Sequence, residues 1–287
     1  MTQIDTTPTE AQTRSPRRRT RVPYGLVAAL ALVAFLALAV IAPDFLATHD
    51  PYALALTESL QSPSAAHIFG TDEQGRDLYS RIIFGARESL VIGVGAAIVS
   101  IALALILGSA AALGGRLIGG IAARVIEIQF AFPTLLLALL LVAITGPSAS
   151  SQMLAVAIGS APGYARMIRG QILQTRNSGY VEAAVALGHS RASILTRHIV
   201  PNAVRPLVAV FAMSIGQSIV WASSLSFLGL GVAPPSPEWG ALLDAGRQYI
   251  VHAPWLTIVP GLVIVALAVA STTIGQHIQA ALERGEK

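Results

Sequence analysis

The chain has 287 residues, of which 54% are hydrophobic and only 12% charged, with a mean hydropathy of +0.65. A soluble domain carries roughly 25% charge, so this composition excludes a water-soluble fold. The absence of cysteine removes disulfide frameworks, thiolate metal sites, haem attachment and cysteine nucleophiles, and the charges lie between apolar blocks, which argues against nucleic acid as a partner. Lys287 is the single lysine. A P-loop needs a lysine in its glycine-rich turn, so any ATP-driven role must use an ATPase on another polypeptide.

In chain order, residues 1–21 are rich in Thr, Pro and Arg and are expected to form a disordered cytoplasmic tail that touches anionic lipid. The bilayer core is about 30 Å thick and needs about 20 apolar residues as helix. Residues 22–43 supply the first span, read as an uncleaved signal anchor because the apolar stretch is too long for a secretory signal core. Residues 44–88 read as an external segment. A second span is expected from Ser89 to Gly115, where Gly93/Ala97 and Ala96/Ser100 form small pairs that permit close helix approach. The charge-free run from Ile128 to Ala165 is too long for one helix, and Gly146-Pro147 cuts it into a third and a fourth span. Arg124 and Glu127, three residues apart, are expected to pair at the membrane interface. Pro206 to Pro237 gives a fifth span and Leu256 to Ile278 a sixth. The transmembrane body is thus placed at 89–278 and a cytoplasmic C-terminus at 279–287. Trp239 and Trp255 read as interfacial anchors, with the segment between them flat on the outer surface.

Six spans put both termini on one side of the membrane. That side collects fifteen Lys and Arg residues and the other four, which predicts cytoplasmic termini. The six histidines show no His-Glu-x-x-His or similar ligand spacing, so neither a metal nor another cofactor is expected on this chain.

The loop at about 177–202 reads as two short helices at an angle. Ser178 is placed as N-cap, Glu182 near the positive end of the helix dipole, and Gly188 as the left-handed residue that ends the first helix. Ser190 is expected to cap a second helix carrying Arg191, Ile194 and Ile199, which Pro201 stops. On the fifth span, Ser214, Gln217, Ser218, Trp221 and Ser224 recur at three- and four-residue intervals. Ser214, Gln217, Trp221 and Ser224 are candidates for lining a solute path, with hydrogen-bonding between helices as the alternative.

Glu182-Ala183-Ala184, three further residues, Gly188 and then Pro201 resemble the EAA loop of ABC importer permeases, and Arg197-His198-Ile199-Val200-Pro201-Asn202 is similar to its peptide-importer version. His198 and Val200 stand where isoleucine and leucine are usual. The strings His67-Ile68-Phe69-Gly70-Thr71-Asp72-Glu73-Gln74-Gly75-Arg76-Asp77, Phe84-Gly85-Ala86-Arg87, Ala131-Phe132-Pro133, Leu225-Ser226-Phe227-Leu228-Gly229-Leu230-Gly231 and Pro237-Glu238-Trp239-Gly240 also resemble the C-type permease subunit of dipeptide and oligopeptide importers. The likeness covers about Tyr24 to Ile278. It implies an all-α membrane protein of the ABC type I importer permease fold, with Glu182, Ala183, Ala184, Gly188, Arg191, Ile199 and Pro201 in the ATPase-coupling loop. It further implies a bacterial inner-membrane importer with a second, B-type permease as heterodimer partner, two ATPase subunits or one fused ATPase that bind ATP and Mg, and an external substrate-binding protein. Peptide is the implied cargo, although glutathione and nickel-complex importers have similar C-type subunits. The rival reading is a stand-alone secondary transporter, or more remotely a membrane enzyme; a proton-coupled carrier would place carboxylates or histidines near the bilayer midplane, where this chain has uncharged spans.

Overall fold

The computed structural model describes residues 24–285, so the tail expected at 1–21 lies outside the described residues. Nearly all regular structure is helical; Thr71 and Asp77 form an isolated antiparallel bridge.

The first helix, α1 (Tyr24–Ile41), is apolar along its whole length and turns most of its large side chains outward, with Leu36 and Ala39 among the few that are buried. A helix apolar all round, exposing Val27, Leu30 and Phe35, is suited to lipid rather than water. Pro43 opens the short α2 (Pro43–Leu46), and an irregular segment with one turn of 3₁₀ helix runs on to Asp77. The next helix, α3 (Leu78–Leu113), begins at Leu78 rather than at Ser89. The reason is a cap: Asp77 accepts the Ser80 N–H at 2.8 Å, so the helix starts where an orphan donor is satisfied and not where charge ends. Its 36 residues span about 54 Å, well beyond the hydrocarbon core, and its first turns carry Arg81, Arg87 and Glu88. Arg81 is buried and donates to the Pro51 carbonyl at 3.2 Å, tying the irregular segment to the helix.

After Gly114, α4 (Gly115–Ala131) and α5 (Thr134–Thr145) form a pair bent by 92°. The bend sits at Phe132-Pro133, where the proline ring forces Phe132 out of the helical region to ψ 135°. The expected third span is therefore not one straight helix, because α5 alone reaches only about 18 Å. The break expected at Gly146-Pro147 is present: Gly146 has φ +83°, and Ser148 caps α6 (Ala149–Arg176) by accepting the Ser151 N–H. The long α6 holds Pro162 and the cations Arg166, Arg169 and Arg176.

Two short helices, α7 (Gly179–Ala186) and α8 (Arg191–Ile194), precede α9 (Val200–Leu225). Pro201 does not stop α8. A π turn at Leu195–Ile199 carries α8 into α9, and the rod runs on through Ser226 to a kink at Gly229, whose φ is +80°, all within the apolar span Arg191–Leu230. The wider π turn accommodates the proline, whose missing N–H and ring would otherwise break an α register there. Then α10 (Trp239–Gly246) packs against α3, α9 and α11 (Trp255–Gly285). Among the described residues, four helices are long and apolar enough to cross a membrane, with the bent pair as a fifth at most. The expected six is not reached by that measure, because α6 is long but rich in Ser, Gly and Arg.

Glycines set the helix spacing in the bundle. A Cβ on Gly93 would stand 2.1 Å from Ile219 Cγ1, and one on Gly216 would stand 2.8 Å from Ala268 Cα, so α3, α9 and α11 approach as closely as small residues permit. The expected small pairs Gly93/Ala97 and Ala96/Ser100 are all buried. One apolar cluster joins Leu78, Ile82, Trp239, Leu242 and Leu256 at the α10 end. A second joins Ile168, Ile172, Val181, Ala184, Ile194 and Ile199 at the α7 end.

Candidate functional site

The elbow at the α7 end is built outward from its buried side. Val181 and Ala184 face the cluster formed with Ile194 and Ile199, while Glu182, Ala183, Val185 and Leu187 point out. Alanine at 183 and 184 lets the helix lie flat, and Val185 and Leu187 are 59% and 77% exposed, an apolar patch without a cover. Gly188 has φ +79° and its N–H is donated to Val185 O at 3.0 Å. No atom lies within 4 Å of where its Cβ would stand, so backbone conformation and not space selects glycine. Ser190 caps α8 as expected, by accepting the Ser193 N–H. Ser178 stands at the N-cap position of α7 but does not cap it; its hydroxyl donates to the Thr175 carbonyl at 2.6 Å. Asn202 ties the elbow to α9, donating to Tyr180 Oη at 3.2 Å and to His198 O at 2.8 Å. Arg191 and Pro201 are exposed on the same end. A cavity of about 660 Å³ opens between Leu113, Arg176, Glu182, His189 and Arg191.

The four polar positions on α9 do not share one environment. Ser214 is 1% exposed and donates to its own helix at Phe211 O. Gln217 accepts a 2.8 Å hydrogen bond from Tyr164 Oη, and with Trp221 lines a cavity of about 350 Å³ against Phe132, Pro133 and Tyr164. Ser224 donates to Val220 O and lines a different cavity with Leu243, Gly261 and Ile264. The geometry thus pairs Gln217 with Trp221 at the kink between α4 and α5, with Ser214 buried beside Tyr164, and leaves Ser224 apart. Tyr164 and the Phe132-Pro133 kink are partners that the α9 spacing alone does not point to.

At the other end, Trp239 is fully buried and donates its indole N–H to Ile82 O at 2.9 Å, so it is a core residue and not an interfacial anchor. Trp255 is only half-buried and donates to Thr71 O at 3.3 Å, and Leu242 is buried, so this segment is packed in rather than lying flat. Glu238 caps α10, accepting the N–H groups of Gly240 and Ala241 at 2.8 Å each and the Ser226 hydroxyl at 2.8 Å. Ser89 of α3 reaches Glu238 at 3.5 Å, so the carboxyl joins three helices directly, and Gln152 of α6 is tied in through Ser226, donating to its Oγ at 2.6 Å. Burial pushes the Glu238 carboxyl above its ordinary range against the pull of these hydrogen bonds. Arg124 and Glu127 pair at 3.1 Å on an exposed face, as their spacing predicts. His49, His67 and Asp77, which share no sequence spacing that marks ligands, come within 4.8 Å of one another.

A family model described as the binding-protein-dependent transport system inner membrane component matches residues 82–285. A probable D,D-dipeptide transport system permease protein of Escherichia coli (strain K12) is 40% identical over 91% of this chain and 87% of that protein. A dipeptide transport system permease of Alkalihalophilus pseudofirmus is 37% identical over 90% and 84%, and a glutathione transport system permease of Pectobacterium atrosepticum is 41% identical over 78% and 74%. Among solved structures, an amino acid ABC transporter determined with histidines superposes with a TM-score of 0.59 at 18% identity, covering 70% of this chain and 94% of that one. An inward-facing MetNI methionine ABC transporter gives 0.57 at 18%, covering 70% and 95%. At that identity the likeness speaks to the fold alone.

Proposed function

Since the chain belongs to the binding-protein-dependent transport system inner membrane components, and is accordingly a multi-pass permease of ABC importers, we propose that its cargo is a short peptide handed over by an external binding protein. The observation that carries the cargo reading is identity of 37–41% over most of the chain to permeases named for dipeptides and for glutathione, a tripeptide. The exposed elbow supports the coupling half of the reading. It offers an apolar face around Glu182, Ala183 and Leu187 to a groove on an ATPase partner, on which ATP and Mg are bound and hydrolysed. Gly188 fixes its angle, and Arg191, Ile199 and Pro201 lie on the rod that follows.

That rod gives the coupling a physical route. The helix is continuous from Arg191 to the kink at Gly229, so a displacement of its elbow end by ATPase closure is transmitted along it as a tilt to Gln217 and Trp221. Their cavity at the Phe132-Pro133 kink would open and close as α9 rocks against α5 and α6. In this scheme, the path role belongs first to Gln217 and Trp221, with Ser214 and Ser224 on its flanks. A second, B-type permease supplies the other half of the pathway as heterodimer partner, with two ATPase subunits or one fused ATPase below it. The arginine asymmetry puts the elbow and both termini in the bacterial cytoplasm, with α10 outside and α1 against lipid.

The test is purification without added partners, followed by reconstitution. A P-loop ATPase should co-purify, and peptide uptake into proteoliposomes should require ATP and the binding protein. Uptake by this chain alone without nucleotide would overturn the reading in favour of a secondary carrier. Cysteines at Ala192 and Ala233, in a chain with none of its own, should react with an impermeant reagent only from the inside and only from the outside, respectively. The reverse pattern would overturn the orientation.

A further inference from the structure

The segment between α2 and α3 brings two imidazoles and a carboxylate together away from the elbow and from the α9 cavities. Asp77 Oδ1 lies 2.9 Å from His67 Nδ1 and 3.8 Å from His49 Nδ1, and the two rings are 4.8 Å apart. Asp77 and His67 are buried, whereas the His49 side chain is 42% exposed. The donors are held from behind. Asp77 Oδ2 accepts the Ser80 N–H at 2.8 Å and the Ser80 hydroxyl at 2.7 Å, while the His49 backbone N–H donates to Ser80 Oγ at 3.0 Å. Thr48 Oγ1 sits 3.0 Å from His49 Nδ1.

The His67 ring has a carboxylate at each nitrogen, Asp77 at Nδ1 and Glu58 Oε2 at 3.4 Å from Nε2. A neutral imidazole carries one N–H, so it can serve only one of them and turns a lone pair toward the other. A cation between the two Nδ1 atoms and Asp77 Oδ1 resolves this conflict. The Nδ1 lone pairs then bind the ion, and His67 Nε2–H donates to Glu58, the carboxylate–histidine–metal arrangement that fixes ring orientation in metal sites.

We propose that His49, His67 and Asp77 form a divalent metal site of the Zn²⁺ class, with Glu58 as the carboxylate behind His67. Two imidazoles and one carboxylate are a donor set for Zn²⁺ rather than for Ca²⁺ or Mg²⁺, which take oxygen ligands. Metal–ligand bonds of about 2.0–2.2 Å put tetrahedral donors roughly 3.4 Å apart. Asp77 and His67 need to part slightly, and the half-exposed His49 ring exchanges the Thr48 contact at Nδ1 for the ion. Water takes the fourth position on the His49 side. The bound ion fastens the irregular segment after α2 to the first turn of α3.

The experiment uses the full chain purified in detergent without a polyhistidine tag, stripped with chelator and dialysed against Zn²⁺. Elemental analysis should find about one Zn²⁺ per chain, and the thermal midpoint should rise with Zn²⁺ but not with Ca²⁺. His49→Gln should weaken binding about tenfold or more, with the Zn²⁺-dependent rise read against that variant's own metal-free midpoint. His67→Gln should abolish the Zn²⁺-dependent rise, and His252→Gln should bind as the parent does. If His67→Gln does not fold, the exposed His49→Gln decides the matter. Absence of bound Zn²⁺ in the parent, or parent-like binding by His49→Gln, would overturn the site.

Discussion

At the α10 end, Glu238 and Trp239 are almost wholly removed from solvent, and the Glu238 carboxyl is hydrogen-bonded to α10 itself and to the rod carrying Ser226, which in turn holds α6. At the α7 end, Glu182, Ala183, Val185, Leu187 and Gly188 are exposed, only Val181 and Ala184 of the helix are buried, and Tyr180 is held by Asn202. The two ends use the same device, a short helix with a glutamate near its N-terminus, for opposite purposes. Burying the carboxylate forces every neighbour to answer it with a donor and so locks the helices together. Leaving it in solvent suits the docking role proposed above for the elbow, because no internal bond would have to be broken.

The contrast is open to direct test, and the largest effect is expected from Trp239→Ala. Removing a fully buried indole that also satisfies Ile82 O should cost about 3–5 kcal/mol, read as a lowered thermal midpoint in detergent. A shift as small as that of Leu187→Ala would show that the α10 end is not a core. Glu238→Ala should come next, at about 1–3 kcal/mol for each buried donor left unpaired. The pH dependence has a definite sign. A carboxyl raised by burial holds its proton more tightly in the folded state, so its contribution is present below its ordinary value of about 4.5 and is lost as pH climbs through the raised one. Glu238→Gln should flatten that part of the stability profile; an unchanged profile would mean that the carboxyl is not the group responsible.

Gly188→Val probes the other end. A left-handed backbone costs a β-branched residue about 1–2 kcal/mol, and the open space around the site adds nothing. Stability should fall by no more than that, less than in the Trp239 variant, while ATP-dependent uptake collapses. Normal uptake would remove the elbow from the coupling route. The smallest energetic effect is expected from Gln217→Ala, which loses the Tyr164 hydrogen bond for about 0.6 kcal/mol of helix packing. Uptake should fall more than assembly with the partner permease, and assembly failing first would make Gln217 a packing residue.

Long-range physics was legible without a structure wherever it depends on local composition. Charge-free runs located α1 and α11 because lipid tolerates only apolar helix surface there, and Gly188 announced a left-handed turn because few other residues adopt one. Helix starts were less legible: charge at Arg81, Arg87 and Glu88 suggested a loop, whereas the Asp77 cap and burial of Arg81 made it helix. Pro201 reads as a stop in one dimension, yet a π turn absorbs it because α9 is held by packing on both sides of it.

What the chain determined alone is thus its solvent, its apolar spans and the outline of its elbow, since these follow from side-chain transfer energies and backbone dihedral preferences acting over a few residues. Only tertiary structure decided that Trp239 goes inside, that Gln217 meets Tyr164 while Ser224 does not, and that His49 and His67 converge on Asp77. Those outcomes depend on which distant surfaces pack together, and no local periodicity encodes a contact between segments separated by an irregular loop.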